Sequence, residues 1–288
     1  MIYGRHYVRD RGIRVTDKKI KILTISDHPL SPSGVGTQTK HILEGLLNTG
    51  KYSVISIGGA VKHEKYQPQK TKEFEDDWII FPVDGYGNQD LIRAMIRNHR
   101  PDMLWFMTDP RFFGWLWDIE DEIRANIPMV YYHVWDNKPY PHFNKPSYDS
   151  TDVICTISKV TDDIVRTVSP DVECHRMPHV THPEVFKKVP GDTLEQFKKQ
   201  AGFDDKFLIF WNSRNARRKM SGSLIFWFKD FLDEVGHDKA KLLMHTDPKD
   251  GHGQDLEAII RELGLINGEV VFSINKTPPQ ELNLLYNA

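Results

Sequence analysis

The sequence predicts an α/β protein made of two doubly wound, Rossmann-like parallel-sheet domains. Apolar strand-like runs alternate with amphipathic helical patterns almost throughout, and the alternation restarts after a break near 183–192. A length of 288 residues suits about two domains. We therefore expect an N-terminal extension at 1–19, a first domain at 20–185, and a second, truncated domain at 186–288.

The first domain is predicted from seven apolar runs bounded by turn residues, each short enough for a buried strand. Between them, apolar residues recur at helical spacing, and Gly50 ends the first helix. The predicted strands are 20–26, 52–57, 78–83, 103–107, 129–133, 153–157 and 173–177. The predicted helices are 37–50, 88–99 and 159–168.

The second domain repeats the same alternation over a shorter length. Its predicted strands are 207–211, 241–245 and 270–273, and its predicted helices are 193–201, 224–235, 254–263 and 278–288. Three strands leave a sheet edge unpaired, so we expect a possible homodimer.

Composition narrows the class of protein. Hydrophobic residues make up 39% and charged residues 27%, as in soluble globular proteins, and a net charge of −2 gives no default attraction to nucleic acid. No apolar run approaches a membrane span, and 1–19 lacks the apolar core of a signal peptide. Cys155 and Cys174 lie in strand-like runs, which favours two thiols in a reducing compartment, so we expect a cytoplasmic protein.

The basic loop at 212–219 follows an apolar strand and precedes a helix. Its Arg214 offers a planar fork matched to phosphate oxygens, Lys219 adds a point charge, and a helix start adds unpaired N–H groups. The loop therefore indicates either a phosphate site or a solvated basic turn.

A glycine-containing loop joins the first strand to the first helix. Gly34, Val35 and Gly36 allow a ligand to approach the backbone at a helix start, where an anion is favoured. A dinucleotide fingerprint would need a third glycine where Thr39 stands and an acidic residue at the end of the second strand. The loop is thus a weak candidate for a nicotinamide or flavin site, and a tight turn without a ligand is the plain alternative.

Seven segments together resemble retaining family 4 glycosyltransferases of the GT-B fold, in the right order over 20–288. They are SGVGTQTKHILEGLL (33–47), PMVYYHVWD (128–136), TDVICTISKVTDDIVRTV (151–168), HRMPHVTHPEVF (175–186), NSRNARRK (212–219), GQDLEAIIRELGLINGEVVF (253–272) and PPQELNLLYNA (278–288). Two features depart from the family pattern. His179-Val180 replaces the usual Asn-Gly, and the sequence stops before the family's E-x7-E motif.

The resemblance implies a hexosyl-type transferase that moves a sugar from a nucleotide-diphosphate sugar to an acceptor hydroxyl with retention and without a metal or other cofactor. Its partners would be the nucleotide sugar and a saccharide or other hydroxyl acceptor. Catalytic roles are implied for Arg214, Lys219 and His133. The remaining donor-site residues are Gly34, Val35, Gly36, His245 and Asn275, and the acceptor-side residues are Asp136 and Ser158.

Other interpretations remain open. The missing E-x7-E motif allows a catalytically incomplete sugar-nucleotide-binding module or partner-dependent subunit, and a GT-B epimerase is a third possibility that the basic loop disfavours. The spacing of His175, His179 and His182 allows a metal site, and chance clustering among thirteen histidines is the alternative. The absence of an Asp-x-Asp motif argues separately against a metal-dependent GT-A transferase. The aromatic run 103–117 predicts core packing or, in part, a platform for an acceptor sugar.

Overall fold

A computed structural model describes residues 18–203 and 205–288 and divides the chain into two compact units. Unit 1 extends through Thr181, and unit 2 spans His182–Ala288. The boundary lies a few residues before 185/186, the position expected from the sequence. Of the expected N-terminal extension, 1–17 lie outside the described residues.

Unit 1 contains an eight-stranded sheet within its described residues, in the order β3-β4-β2-β1-β5-β6-β7-β8. All neighbouring strands are parallel except β3, which runs antiparallel to β4. The strands are β1 (Ile20–Asp27), β2 (Tyr52–Gly59), β3 (Gln69–Lys70), β4 (Trp78–Pro82), β5 (Met103–Thr108), β6 (Met129–His133), β7 (Val153–Thr156) and β8 (Glu173–Arg176).

Helices of unit 1 cover both faces of this sheet. They are α1 (Gly34–Leu47), α2 (Gln89–His99), α3 (Gly114–Trp117), α4 (Glu120–Arg124), α5 (Lys145–Asp149) and α6 (Lys159–Val168). Side chains alternate between the faces along each strand, so Ile22 packs with α1 whereas Leu23 and Ile25 join the core on the other face. The sheet is buried on both sides, which explains its continuous apolar strands.

Unit 2 contains a parallel three-stranded sheet in the order β11-β10-β9. Its strands are β9 (Phe207–Asn212), β10 (Ala240–His245) and β11 (Val270–Ser273), and its helices are α7 (Gly191–Ala201), α8 (Ser221–Val235), α9 (Leu256–Glu262) and α10 (Pro279–Asn287). Helices α8 and α9 pack on one face of the sheet, and α7 and α10 pack on the other.

The predicted strands are all present, and the differences concern short elements and helix starts. Strand β3 and helices α3 to α5 are too short to show a period in the sequence. Helix α1 begins at Gly34 rather than at 37, because the Ser33 side chain caps it. No helix of the described ranges is both long and apolar enough to cross a membrane.

The two cysteines are free thiols on adjacent strands. Cys174 pairs with Ile154 in the register of β7 and β8, so the side chains of Cys155 and Cys174 pack on opposite faces of the sheet. Cys174 is buried, whereas Cys155 is half-buried.

Candidate functional site

The strand order of unit 1 reverses between β1 and β5, and this is where doubly wound sheets bind ligands. Asp27 ends β1 there and is only 8% exposed. Its Oδ1 accepts a hydrogen bond from the Tyr86 hydroxyl at 2.8 Å, and its Oδ2 accepts one from the Ser33 hydroxyl at 2.6 Å. Burial raises the pKa of Tyr86, so its hydroxyl remains a donor to this carboxylate.

The glycine loop lies directly against Asp27. Ser33 Oγ accepts the Gly36 N–H at 2.9 Å, which leaves the N–H groups of Gly34 and Val35 without an intrahelical partner. A Cβ on Gly36 would lie 2.6 Å from the His28 carbonyl oxygen, whereas a Cβ on Gly34 would meet no atom within 4 Å. The two glycines thus serve different purposes: packing requires Gly36, and Gly34 leaves open space at the helix start.

His133 ends β6 and is 0% exposed. Its Nε2 lies 2.7 Å from the Tyr148 hydroxyl, while its buried Nδ1 has no hydrogen-bond partner among the described residues. Burial lowers the pKa of His133 to about 3, so the imidazole is neutral near pH 7. The structure therefore places the side chain of His133 inside unit 1, with Nε2 next to the Tyr148 hydroxyl and with Nδ1 making no hydrogen bond to the described residues.

Asp109 and Arg111 follow β5. The guanidinium Nε and Nη2 of Arg111 donate to the two carboxylate oxygens of Asp109, each at 2.8 Å, and its Cζ lies 5.9 Å from the centroid of the Trp135 ring. This pairing lowers the pKa of Asp109 against the opposing effect of its burial. Sequence reasoning missed Asp27 and Asp109, although each is an acid at or just after the end of a buried strand.

The two expected acceptor-side residues have different surroundings. Asp136 is exposed on the loop after β6. Ser158 caps α6, since its Oγ accepts the Thr161 N–H at 3.1 Å. Thr161 in turn donates to the Trp135 carbonyl oxygen at 2.8 Å, which ties the loop of Asp136 to this helix start.

Arg214 lies two residues after β9 in unit 2, and its side chain is 63% exposed. Its Nε donates to Asp250 Oδ2 at 2.5 Å and its Nη2 to Asp250 Oδ1 at 3.1 Å. Nη2 also lies 2.8 Å from His252 Nδ1. We call Arg214, Asp250 and His252 the Arg214 cluster.

Lys219 ends a short helical turn, Arg217–Lys219, just before α8. Lys219 is exposed, as are Arg217 and Arg218. Met220 links this turn to α8 with a positive φ of 51°. The basic loop therefore presents its cations to solvent at the carboxyl end of β9.

Asn215 is completely buried and ties the loop after β9 to the loop after β10. Its Oδ1 accepts from Ser221 Oγ at 2.6 Å, and its Nδ2 donates to the Gln254 carbonyl oxygen at 2.7 Å. Gly253 is required here, because a Cβ would lie 2.2 Å from the Asn215 carbonyl oxygen. Gln254 Oε1 accepts the Gly222 N–H at 2.9 Å and so caps α8.

His245 and Asn275 lie further along the same edge of the unit 2 sheet. His245 is level with Asn212 and Ser273 in the register, and its Nδ1 lies 2.9 Å from Ser273 Oγ. Asn212 Nδ2 donates to the Tyr286 hydroxyl at 2.9 Å. Asn275 is exposed on the loop after β11.

The possible histidine metal site has no support in the described ranges. Those ranges contain no group of three or more His, Cys, Asp or Glu side chains that could hold a metal ion. His175 Nε2 lies 2.7 Å from a Glu173 carboxylate oxygen, and the His179 ring stacks on Tyr132 at 5.8 Å.

Comparison with known proteins identifies the fold. A glycosyltransferase from Rickettsia africae matches with a TM-score of 0.65 at 17% identity over 93% of this chain and 71% of that one. Anabaena Alr3699/HepE, in complex with UDP and glucose, matches with 0.63 at 13% identity over 92% and 71% of the two chains. A UDP-forming α,α-trehalose-phosphate synthase from Burkholderia xenovorans matches with 0.60 at 14% identity over 93% and 76%.

These likenesses are structural. No family model matches the sequence, and no curated protein matches it. The chain therefore has the two-unit α/β fold of the GT-B glycosyltransferases, with a large, mainly parallel sheet in unit 1.

Proposed function

We propose that this protein transfers a hexosyl group from a nucleotide-diphosphate sugar to an acceptor hydroxyl, with retention at the anomeric carbon. The observation that carries the proposal is the exposed guanidinium of Arg214, directly after β9 and beside the basic turn of Lys219. The GT-B fold supports it, since structures with this fold hold UDP and UDP-glucose in Anabaena HepE.

The chemistry demands positive charge where the leaving group forms. A nucleoside diphosphate departs as the sugar gains positive charge, and preorganised donors aimed at the diphosphate oxygens lower the barrier. Arg214 and Lys219 would supply this charge, so we propose that transfer needs no metal ion. The N–H groups of Gly34 and Val35 are further donors at the start of α1.

The other predicted residues receive supporting roles in this proposal. His133 would lie beside the donor sugar, although its side chain is 0% exposed, so a sugar could touch its Nδ1 only if the residues around it moved. His245 and Asn275 would belong to the donor site. The leaving phosphate would take the proton of the acceptor hydroxyl. Asp136 and the loop at Ser158 would lie on the acceptor side, and a homodimer through an open edge of the unit 2 sheet stays a prediction.

The reaction is tested by incubating the protein with UDP-glucose and an acceptor panel, with and without EDTA, and following products by proton NMR. We expect an α-glucoside and equal rates in the two conditions. A β-glucoside would contradict retention, and a rate abolished by EDTA would contradict metal independence. If no transfer or hydrolysis occurs with UDP-, GDP- or ADP-sugars, the proposed function is wrong.

A further inference from the structure

The guanidinium of Arg214 bonds to side chains of its own unit. A guanidinium offers five N–H donors, and its Nε and Nη2 edge forms the side-on fork that a carboxylate or phosphate accepts. Asp250 fills this edge with both of its oxygens, and His252 Nδ1 lies 2.8 Å from Nη2. Only Nη1 of Arg214 is left outside these contacts.

Asp250 is the fixed member of the pair. Its side chain is 14% exposed, compared with 63% for Arg214. Its Oδ1 also accepts the His252 N–H at 2.9 Å, and its loop is tied down by Asn215 and Gln254. The guanidinium beside it holds the pKa of Asp250 well below its usual range, so the carboxylate is charged near pH 7.

We propose that Asp250 is a latch that competes with the diphosphate group for Arg214. A diphosphate that uses the Nε and Nη2 edge must first displace this carboxylate, and the carboxylate retakes the guanidinium when the diphosphate leaves. Asp250 thereby weakens the binding of the nucleoside diphosphate product and favours its release. The inference rests on the proposed function, because it assigns Arg214 to a diphosphate.

The test measures the affinity for inorganic pyrophosphate, a probe that needs neither a nucleobase nor sugar transfer. Wild type, Asp250→Asn, Asp247→Asn, Arg214→Ala and the double variant Arg214→Ala/Asp250→Asn are titrated by calorimetry or phosphorus NMR. Asp247→Asn is the matched control, since it removes one negative charge from the same loop, where Asp247 Oδ1 accepts the Lys249 N–H.

We expect Asp250→Asn to bind pyrophosphate about fivefold more tightly than Asp247→Asn, as suits a partly exposed ion pair. The gain should vanish in the Arg214→Ala background, because the latch acts only through Arg214. A gain of affinity also separates the latch from structural damage, which would weaken binding. In sugar transfer, Asp250→Asn should lower the inhibition constant of the nucleoside diphosphate product by a similar factor.

Two results would overturn the latch. If Asp250→Asn binds pyrophosphate no more tightly than Asp247→Asn, Asp250 does not compete for Arg214, while sugar transfer by the wild type would still support the proposed function. If Arg214→Ala binds pyrophosphate as tightly as the wild type, Arg214 is not an anion ligand, and both the latch and its assignment to the leaving group fail.

Discussion

The carboxyl ends of the strands carry different chemistry in the two units. In unit 1, Asp27 and His133 are 8% and 0% exposed, and hydroxyl groups of Ser33, Tyr86 and Tyr148 hold them. In unit 2, the side chain of Arg214 is 63% exposed and bonded to charged Asp250.

The two units therefore differ in the rigidity and the exposed charge of their strand ends. Buried hydrogen-bonded groups are costly to disturb, so unit 1 presents a fixed surface. Exposed ion pairs exchange partners at low cost, so unit 2 presents cations that a ligand can recruit. The following experiments probe this contrast, beginning with the largest expected effect.

The first experiment compares Gly36→Ala with Gly34→Ala in unit 1. The added Cβ at position 36 meets backbone and side-chain oxygens at 2.6 Å, so we expect overpacking to cost about 1–3 kcal/mol of unfolding free energy. The Cβ of Gly34→Ala lies in open space, so this substitution should leave the unfolding free energy unchanged or raise it slightly. Equal losses in urea unfolding would show that the loop is not held as rigidly as the contacts of Asp27 indicate.

The second experiment measures how protonation of His133 at acid pH lowers the stability of unit 1. The pKa of His133 in the folded chain is about 3, below the ordinary value of about 6.5, so the unfolded chain binds the proton first as the pH falls. The contribution of neutral His133 to the unfolding free energy is therefore complete above pH 6.5 and is lost progressively towards pH 3. At pH 5 the loss has reached about 2 kcal/mol. Hydrogen exchange of β6 should show this slope in the wild type and not in His133→Asn.

An identical pH dependence in His133→Asn would mean that His133 is not buried as a neutral group. That result would also remove the contrast between a buried first unit and an exposed second unit.

The third and smallest effect is the pH dependence of the stability that His237 gives to unit 2, which has the opposite sign to that of His133. Hydrogen bonds to Asp233 and then to Glu269 raise the pKa of His237. The contribution of His237 to the unfolding free energy is therefore fully present below the ordinary histidine pKa. It is lost as the pH rises through the raised pKa of His237. Hydrogen exchange of β11 should quicken over that range in the wild type and not in His237→Gln; equal profiles would exclude this contribution.

The sequence located some of these features because their signals are local. An apolar run followed by Asn212 to Lys219 and a helical pattern marked the phosphate candidate, and the resemblance of the segment 128–136 to a glycosyltransferase strand marked His133. The fold class followed from periodicity alone, and the structure confirms it.

Other features depend on contacts between distant residues. Asp250 and His252 lie more than thirty residues after Arg214, so their bonds to it leave no local pattern. Gly34 and Gly36 look equivalent in the sequence, and only the position of the His28 carbonyl oxygen distinguishes them. The burial of His133 likewise depends on Tyr148, which another element supplies.

The central claim is that Arg214 binds the diphosphate of a nucleotide sugar, and calorimetric titration with UDP tests it most directly. The matched control for Arg214→Ala is Arg218→Ala, which removes an exposed arginine from the same basic loop. We expect Arg214→Ala to weaken UDP binding by roughly ten- to one-hundredfold, because a charge-assisted bond is lost, and Arg218→Ala to change it less than twofold, because a single solvated charge contributes little. Equal affinities in Arg214→Ala and the wild type would contradict the account.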